Sequence, residues 1–211
     1  MGNPDVTQTP DTFDLEVETL IIGAGACGMV AALAAHEAGQ DVLLIEADPM
    51  PSGSTALSAG LVPAAGTRFQ SAAGIDDSAA RFAGDIQAKA HDENDLDLVM
   101  TMAETAGSVI EWLADSHGLP FSLVTDFDYP GHSRRRMHGL PTRSGQELID
   151  TLRAQVEALD IPLICNRRAN RLYSGGIRVS GAQLTLPDGS TETVGCDRLI
   201  LACNGFGGNR A

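Results

Sequence analysis

Hydrophobic and polar positions change in blocks along the chain, and the first blocks predict a strand–helix–strand unit. Residues 17–22 form a short apolar run closed by Gly23, which is typical of a buried strand. The small residues at positions 26–38 predict a helix that ends at Gly39, and Val42–Ile45 predicts a second strand. Together the three elements have the length of about thirty residues that one parallel βαβ unit needs.

The remaining pattern predicts a loop, three helices and a group of short strands. Residues 49–74 show no sustained helical period, which predicts a long loop, and residues 119–143 are also irregular. Turn-like apolar spacing predicts helices at 77–91 and 96–116, and the capping pattern from Ser144 to Glu147 begins a third helix that ends near residue 158. The last part predicts strands at 163–165, 170–173, 179–186, 191–196 and 199–202, with a hairpin turn at 187–190.

Composition and charge argue against several classes of binding partner. The chain has 211 residues, of which 43% are hydrophobic and 20% charged, so it is expected to fold around a real core. It carries 14 Lys and Arg against 28 Asp and Glu, a net charge of −14, and therefore repels nucleic acid and anionic membrane surfaces. Residues 1–15 form a polar tail without the pattern of a signal peptide, and no apolar run is long enough to span a membrane. We therefore expect a cytoplasmic protein.

The four cysteines do not predict a metal centre. Cys27, Cys165, Cys196 and Cys203 lack CxxC or any paired ligand spacing. We expect no metal, and cysteines that are reduced and buried as small apolar side chains.

The strongest chemical signal is a GxGxxG pattern between the first strand and the first helix. Gly23 permits a tight turn, Gly25 lets the backbone approach a pyrophosphate, and Gly28 allows the helix to lie close to the strand. Glu46 ends the second strand, where a carboxylate accepts hydrogen bonds from the adenosine ribose and disfavours the 2′-phosphate of NADP. The pattern predicts a dinucleotide site but does not by itself separate FAD from NAD.

The segment at 52–67 resembles the flavoprotein family of fumarate reductases, succinate dehydrogenases and 3-ketosteroid dehydrogenases. The similarity covers residues 18–209 and ends with an apolar strand and a turn like the family's GGFGxN. It implies an α/β fold over residues 16–211, namely a Rossmann-like FAD-binding domain of the glutathione-reductase type with a β-meander and a helical insertion. The cofactor-binding positions expected from the glycine pattern and the resemblance are Gly23, Ala24, Gly25, Ala26, Gly28, Glu46, Ser54, Thr55, Gly60, Ala169, Ala202 and Gly205.

Two departures from the family pattern change the expectation. Ser54 stands where membrane-bound succinate dehydrogenases carry a histidine linked to FAD, so the resemblance implies non-covalent FAD. Asn204 stands where many relatives have glycine, which affects the tightness of the last turn. The family's capping domain and substrate-binding residues lie beyond that turn, so we expect a domain truncated at the C-terminus and assign no catalytic residue.

A basic segment at 132–138 has two interpretations. Three arginines and two histidines could attract a cofactor phosphate or a dicarboxylate, because guanidinium groups bind both in a bidentate manner. Alternatively, the segment is a solvated loop that pairs with nearby acids. Its Arg-Met-His part resembles an Arg-x-His-Arg stretch of soluble fumarate reductases, with Gly139 in place of the second arginine. Asp126 and Asp128 are interpreted as solvated loop residues.

Two functions follow from these expectations. The first is the FAD-binding portion of an oxidoreductase that transfers hydride between flavin N5 and a CH–CH or C=C bond next to a carboxylate or carbonyl. Its substrate would be a dicarboxylate, a steroid or another enone, with a second chain as a candidate source of the capping domain. The alternative is a non-catalytic flavin-binding fragment or module that needs a partner chain, and an NAD-binding subunit is a more distant option.

Overall fold

The computed structural model describes residues 6–205, which divide into two units. The first unit combines the chain up to Leu57 with the chain from Leu148 onward, and the second runs from Ser58 to Glu147. The single FAD-binding domain expected over residues 16–211 stays a prediction.

The elements follow the order expected for an α/β chain with an insertion. The strands are β1 (Val6–Gln8), β2 (Leu15–Ile22), β3 (Val42–Ile45), β4 (Val62–Pro63), β5 (Ser122–Leu123), β6 (Met137–Gly139), β7 (Leu163–Ile164), β8 (Arg168–Ser174), β9 (Val179–Thr185) and β10 (Thr191–Leu201). The helices are α1 (Ala26–Glu37), α2 (Gly53–Ala56), α3 (Arg68–Ala72), α4 (Ala79–Lys89), α5 (Leu96–Ser116) and α6 (Gly145–Ala158). Within the described residues, no helix combines the length and the apolar character that crossing a membrane requires.

The first unit is built on a seven-stranded sheet in the order β1-β8-β9-β10-β2-β3-β7. Strand β2 pairs in parallel with β3, from Thr19 opposite Val42 to Ile22 opposite Ile45, and α1 connects the two strands. All four residues of β3 are buried, which is why its sequence is a continuous apolar run rather than an alternating one. The predicted βαβ unit is therefore confirmed.

Strand β10 joins an antiparallel meander to the parallel part of the sheet. Strands β8, β9 and β10 are consecutive antiparallel neighbours, and the second part of β10 pairs in parallel with β2. Residues 191–196 and 199–202 were expected to form two strands, but the structure has one, because backbone hydrogen bonds continue past the polar Asp197 and Arg198. The Rossmann-like fold with a β-meander is confirmed.

The second unit contains the helical insertion and more short elements than the sequence pattern predicts. Helices α4 and α5 pack together around Phe82, Val99 and Ala103, and β4, β6 and β5 form a small antiparallel sheet. The loop expected at 49–74 contains α2, which still belongs to the first unit, and β4 and α3, and the irregular segment at 119–143 contains β5 and β6. These elements have two to five residues, which is too short for a visible hydrophobic period.

The described part of the predicted polar tail contains a strand. Val6–Gln8 forms β1, which pairs in parallel with β8 at one edge of the large sheet. Strand β2 begins at Leu15, two residues earlier than the apolar run suggests, because its first residues pair with β10 although their side chains are largely exposed.

Candidate cofactor site

A cavity of about 870 Å³ lies in the first unit where β2, β3 and β10 end. Ile22, Glu46 and Leu201 mark these three strand ends on its wall. The strands run parallel, so their carboxyl ends meet at one edge of the sheet, which is where open α/β sheets bind their ligands.

Two glycines of the loop are required by contacts within the protein. Gly23 has a φ of +104°, and a Cβ there would lie 2.6 Å from the carbonyl oxygen of Ala202. At Gly28, a Cβ would lie 1.8 Å from the carbonyl oxygen of Gly23. Neither position can take a side chain without moving backbone.

Gly25 has no such requirement from the protein. A Cβ there would have Thr55 Oγ1, at 3.9 Å, as its nearest neighbour, and the residue lies on the cavity wall as the N-cap of α1. Its missing side chain therefore leaves open space beside the N-terminus of a 12-residue helix, where backbone N–H groups and the helix dipole favour an anion. The space fits the diphosphate of a dinucleotide.

Glu46 fixes the glycine loop to the end of β3. Its Oε2 accepts a hydrogen bond of 2.8 Å from the backbone N–H of Ala24, and its Oε1 accepts one of 3.0 Å from the N–H of Asp48. A carboxylate has about four acceptor positions, so these two bonds leave capacity for ribose hydroxyls. Glu46 thus shapes the loop and also lies on the cavity wall.

Helix α2 contributes two hydroxyls to the same wall. Thr55 Oγ1 accepts a hydrogen bond of 3.4 Å from the backbone N–H of Ala26, and Ser54 Oγ accepts one of 2.5 Å from Asn204 Nδ2. Asn204 has a φ of +71°, a conformation that asparagine tolerates better than most residues, and its Oδ1 accepts from the N–H of Gly205. Asparagine therefore fits the turn after β10 and also fastens it to α2.

The cavity gathers most of the expected positions. Those on its wall are Gly23, Gly25, Ala26, Glu46, Ser54, Thr55, Ala169 and Ala202. Ala24 and Gly28 are buried behind the loop, and Gly205 is exposed beyond the turn. Gly60 belongs to the second unit, where a Cβ would lie 2.7 Å from the carbonyl oxygen of Ser144, so that unit alone explains the glycine. Cofactor contact at all of these positions stays a prediction.

The sequence interpretation missed a group of arginines on the wall. Arg167, Arg168 and Arg171 all line the cavity at the start of β8, together with Asn170. The signal was present, because three arginines within five residues are unusual in a chain of net charge −14.

The cysteines divide into two pairs, all free. Cys27 and Cys203 are exposed and line the cavity, so the expectation that the cysteines are buried is wrong for these two. Cys165 and Cys196 are half-buried, and burial raises the pKa of both thiols.

In the second unit, Arg136 forms a buried ion-pair cluster rather than an anion attractor or a solvated loop. Its side chain is fully buried and binds Asp77 through Nε at 2.9 Å and Asp85 through Nη1 at 2.5 Å. Burial raises the pKa of Asp77, but hydrogen bonds from Arg136 and Gln70 outweigh it, so the net pKa is lowered. His138 is buried beside this cluster, bonded to the hydroxyl of Thr67 at 2.9 Å.

The neighbouring acidic residues form exposed ion pairs with arginines. Arg135 pairs with Asp128 at 2.7 Å and Arg143 with Asp126 at 2.8 Å, and the arginine hydrogen bonds lower the pKa of both carboxyls. Asp126 and Asp128 are exposed, as expected, but each forms an ion pair with an arginine.

A βαβ unit with this glycine loop, an acid at the second strand end and a cavity outside the parallel strands defines a dinucleotide-binding domain. Comparison with known families makes the assignment more specific. Residues 18–211 match the family described as FAD binding domain. The chain belongs to that family, and its cofactor is FAD, as the sequence resemblance implied.

The names of similar proteins are consistent with membership of this family. The chain is 32% identical to a probable fumarate reductase of Shewanella frigidimarina over 92% of its own length and 33% of that protein. It is 32% identical to the urocanate reductase of Eggerthella lenta over 97% of its own length and 34% of that protein. The chain thus spans about a third of the length of these curated relatives.

Solved structures show the same fold. An open flavocytochrome c3 fumarate reductase superimposes with a TM-score of 0.84 and 31% identity, covering 92% of this chain and 34% of that one. A 3-ketosteroid-Δ4-(5α)-dehydrogenase from Rhodococcus jostii gives a TM-score of 0.80 and 25% identity, covering 94% of this chain and 48% of that one.

Proposed function

We propose that this chain is the FAD-binding portion of an oxidoreductase that acts on a carbon–carbon bond next to a carboxylate or carbonyl. The observation that carries the proposal is the cavity beside Gly25, open at the N-terminus of α1, in a chain whose relatives are named as reductases. When bound, FAD supplies the hydride acceptor or donor of such a reaction.

The residues of this chain bind and orient the cofactor in this proposal. The loop from Gly23 to Gly28 receives the diphosphate, and Glu46 receives the ribose. Ser54 and Thr55 lie on the remaining wall, where Asn204 holds Ser54 in place. A histidine side chain can form a covalent bond to the flavin, and a serine side chain does not form that bond. We therefore propose that FAD is bound non-covalently.

The substrate we propose is a small unsaturated molecule: a dicarboxylate, a steroid or another enone. Fumarate, urocanate and ketosteroids appear in the names of the relatives and structural neighbours, and all contain a C=C or CH–CH bond beside a carbonyl or carboxylate or conjugated to one. The net charge of −14 supports a small molecule rather than nucleic acid or an anionic membrane surface as the partner. Four free cysteines support a reducing compartment, and we propose the cytoplasm.

A second candidate is a flavin-binding module without catalysis of its own that works with a partner chain. The observation that favours it is an apolar strip on α5, where Leu98 and Met102 are one turn apart and are 71% and 41% exposed. Adjacent exposed apolar side chains of this kind offer another chain a surface to cover.

One experiment separates the two candidates. The purified 211-residue chain is reconstituted with FAD, the flavin is reduced chemically without oxygen, and its absorbance is followed after addition of fumarate, urocanate or a 3-ketosteroid. Reoxidation by one of these compounds, and not by its saturated analogue, supports the oxidoreductase. Bound flavin that none of them reoxidises, both in this chain alone and in the chain extended by any coding sequence that follows residue 211 in its gene, supports the module.

Acid precipitation of the same preparation tests the mode of attachment. We expect the flavin to appear in the supernatant, because Ser54 replaces the linking histidine. Flavin that stays in the washed pellet would contradict non-covalent binding.

A further inference from the structure

Strand β8 brings three positive charges to the wall of the cofactor cavity. Arg167, which directly precedes the strand, and Arg168 and Arg171, which lie within its first four residues, all line the cavity. Arg167 is neutralised by Glu192, at 2.6 Å from its Nε. Within residues 6–205, neither Arg168 nor Arg171 forms an ion pair.

A β-bulge places Arg168 and Arg171 on the same face of the strand. Residues three apart in a regular strand point to opposite faces. The pairing of β8 with β9 shifts register between Ala169 and Arg171, and as a result Ala169 and Leu172 both pack against the same apolar cluster. Arg168 and Arg171 precede these two residues in sequence, so their side chains share the opposite face.

The two charges oppose the electrostatics of the rest of the molecule. The chain has a net charge of −14, and two carboxylates, Glu46 and Asp48, lie on the same cavity wall. Both features repel an anion that approaches the glycine loop. FAD carries two negative charges on its diphosphate, so it needs local positive charge within roughly a Debye length, about 8–10 Å at ordinary salt, to approach quickly.

We infer that Arg168 and Arg171 form a cationic entrance that captures the diphosphate of FAD and speeds its association with the apoprotein. The inference rests on the FAD binding of the family and adds a role that the glycine loop and Glu46 do not have. Its physical basis is charge, and the exact guanidinium shape is not required. Lysines at both positions should therefore keep the function.

The test is the association rate of FAD with the apoprotein, measured by stopped-flow quenching of flavin fluorescence. The double variant R168Q/R171Q removes both charges, and R168K/R171K keeps them. R178Q is a control for the loss of one remote positive charge, because Arg178 is an exposed arginine beyond the other end of β8 and is not on the cavity wall. Circular dichroism and thermal unfolding of each apoprotein show that the variants are folded.

We expect R168Q/R171Q to associate about tenfold more slowly than wild type in about 0.01 M salt. The rates should converge in about 1 M salt, where the Debye length falls to about 3 Å. R168K/R171K should stay within about twofold of wild type, as should R178Q, because lysine keeps the charge and Arg178 is remote.

Two results would overturn the inference. One is an R168Q/R171Q rate equal to that of R178Q at low salt, and the other is an R168K/R171K rate as slow as that of R168Q/R171Q. Failure of the wild-type chain to bind FAD would contradict the assignment of FAD as its cofactor. Failure of the entrance and failure of the site therefore give different results.

Discussion

Adding one methyl group at Gly25 or at Gly28 should separate a cofactor requirement from a packing requirement. The Cβ of G28A would lie 1.8 Å from the carbonyl oxygen of Gly23, a backbone atom that has no rotamer to change. The Cβ of G25A would lie 3.9 Å from its nearest protein neighbour, the hydroxyl of Thr55, and would enter the cavity. The same chemical change thus meets protein at one position and open space at the other.

The expected magnitudes follow from these distances. An overlap of this size with backbone should lower the free energy of unfolding of apo G28A by about 3 kcal/mol, which for a chain of this length lowers Tm by roughly 6–12 °C. Gly25 has a φ of −69°, which alanine adopts readily, so G25A should lose only about 0.5–1 kcal/mol from its weaker N-cap. Its FAD affinity should fall at least about tenfold, or about 1.4 kcal/mol, because the methyl group occupies the diphosphate space.

Two measurements check the pair. Differential scanning calorimetry of the FAD-free proteins gives the unfolding temperatures, and isothermal titration gives the affinities for FAD. Wild-type affinity in G25A would refute the placement of the diphosphate beside Gly25. An unfolding temperature of G28A equal to that of wild type would refute the packing reason for the last glycine.

Three further changes test the acid, the buried cluster and the cavity thiols. Glu46→Ala should weaken FAD binding by about 1–3 kcal/mol, because a charged acceptor is lost, and an unchanged affinity in a fluorescence titration would contradict the ribose contact. Arg136→Met should lower the free energy of unfolding in urea by about 3–5 kcal/mol, since the fully buried carboxylate of Asp77 loses the cation that hydrogen-bonds to it and keeps only Arg81, at 3.8 Å. Because the pKa of Asp77 is lowered in the folded state, this difference should be full above about pH 4 and shrink as the pH falls further, and a pH-independent difference would argue against the ion pair. A maleimide should label the exposed Cys27 and Cys203 more slowly when FAD is bound, and equal labelling by mass spectrometry would mean that the cofactor leaves both thiols uncovered.

The sequence predicts the bounds of an element correctly where its apolar pattern extends over the whole element. Val42–Ile45 is an uninterrupted apolar run, because a parallel strand buried on both faces requires one, and the bounds that this run predicts are those of the observed strand. Helix α5 was also predicted with its observed bounds, since its apolar spacing extends over many turns. Elements of two to five residues, such as α3 and β6, carry too few positions for a period to appear.

The pattern of residue types along the chain does not predict which residues distant in sequence pair with one another. Asp197 and Arg198 interrupt the apolar pattern, yet β10 continues through them because its backbone bonds to β2. Arg136 looked like a solvated or phosphate-binding residue, yet it is buried between two aspartates that lie 59 and 51 positions earlier in the chain. A sequence shows the charge of each residue but not which partner the fold supplies.

The sequence by itself determined the glycine loop, because the tight turn and the close helix approach each require glycine at a fixed spacing, and it carried the resemblance to the FAD-binding family. Only the tertiary structure decided which side chains surround that loop. The register shift in β8 turned two arginines toward one face, and the φ of Asn204 let its amide reach Ser54. These arrangements depend on backbone pairing and on contacts across more than a hundred residues, for which no local pattern of residue types provides a signal.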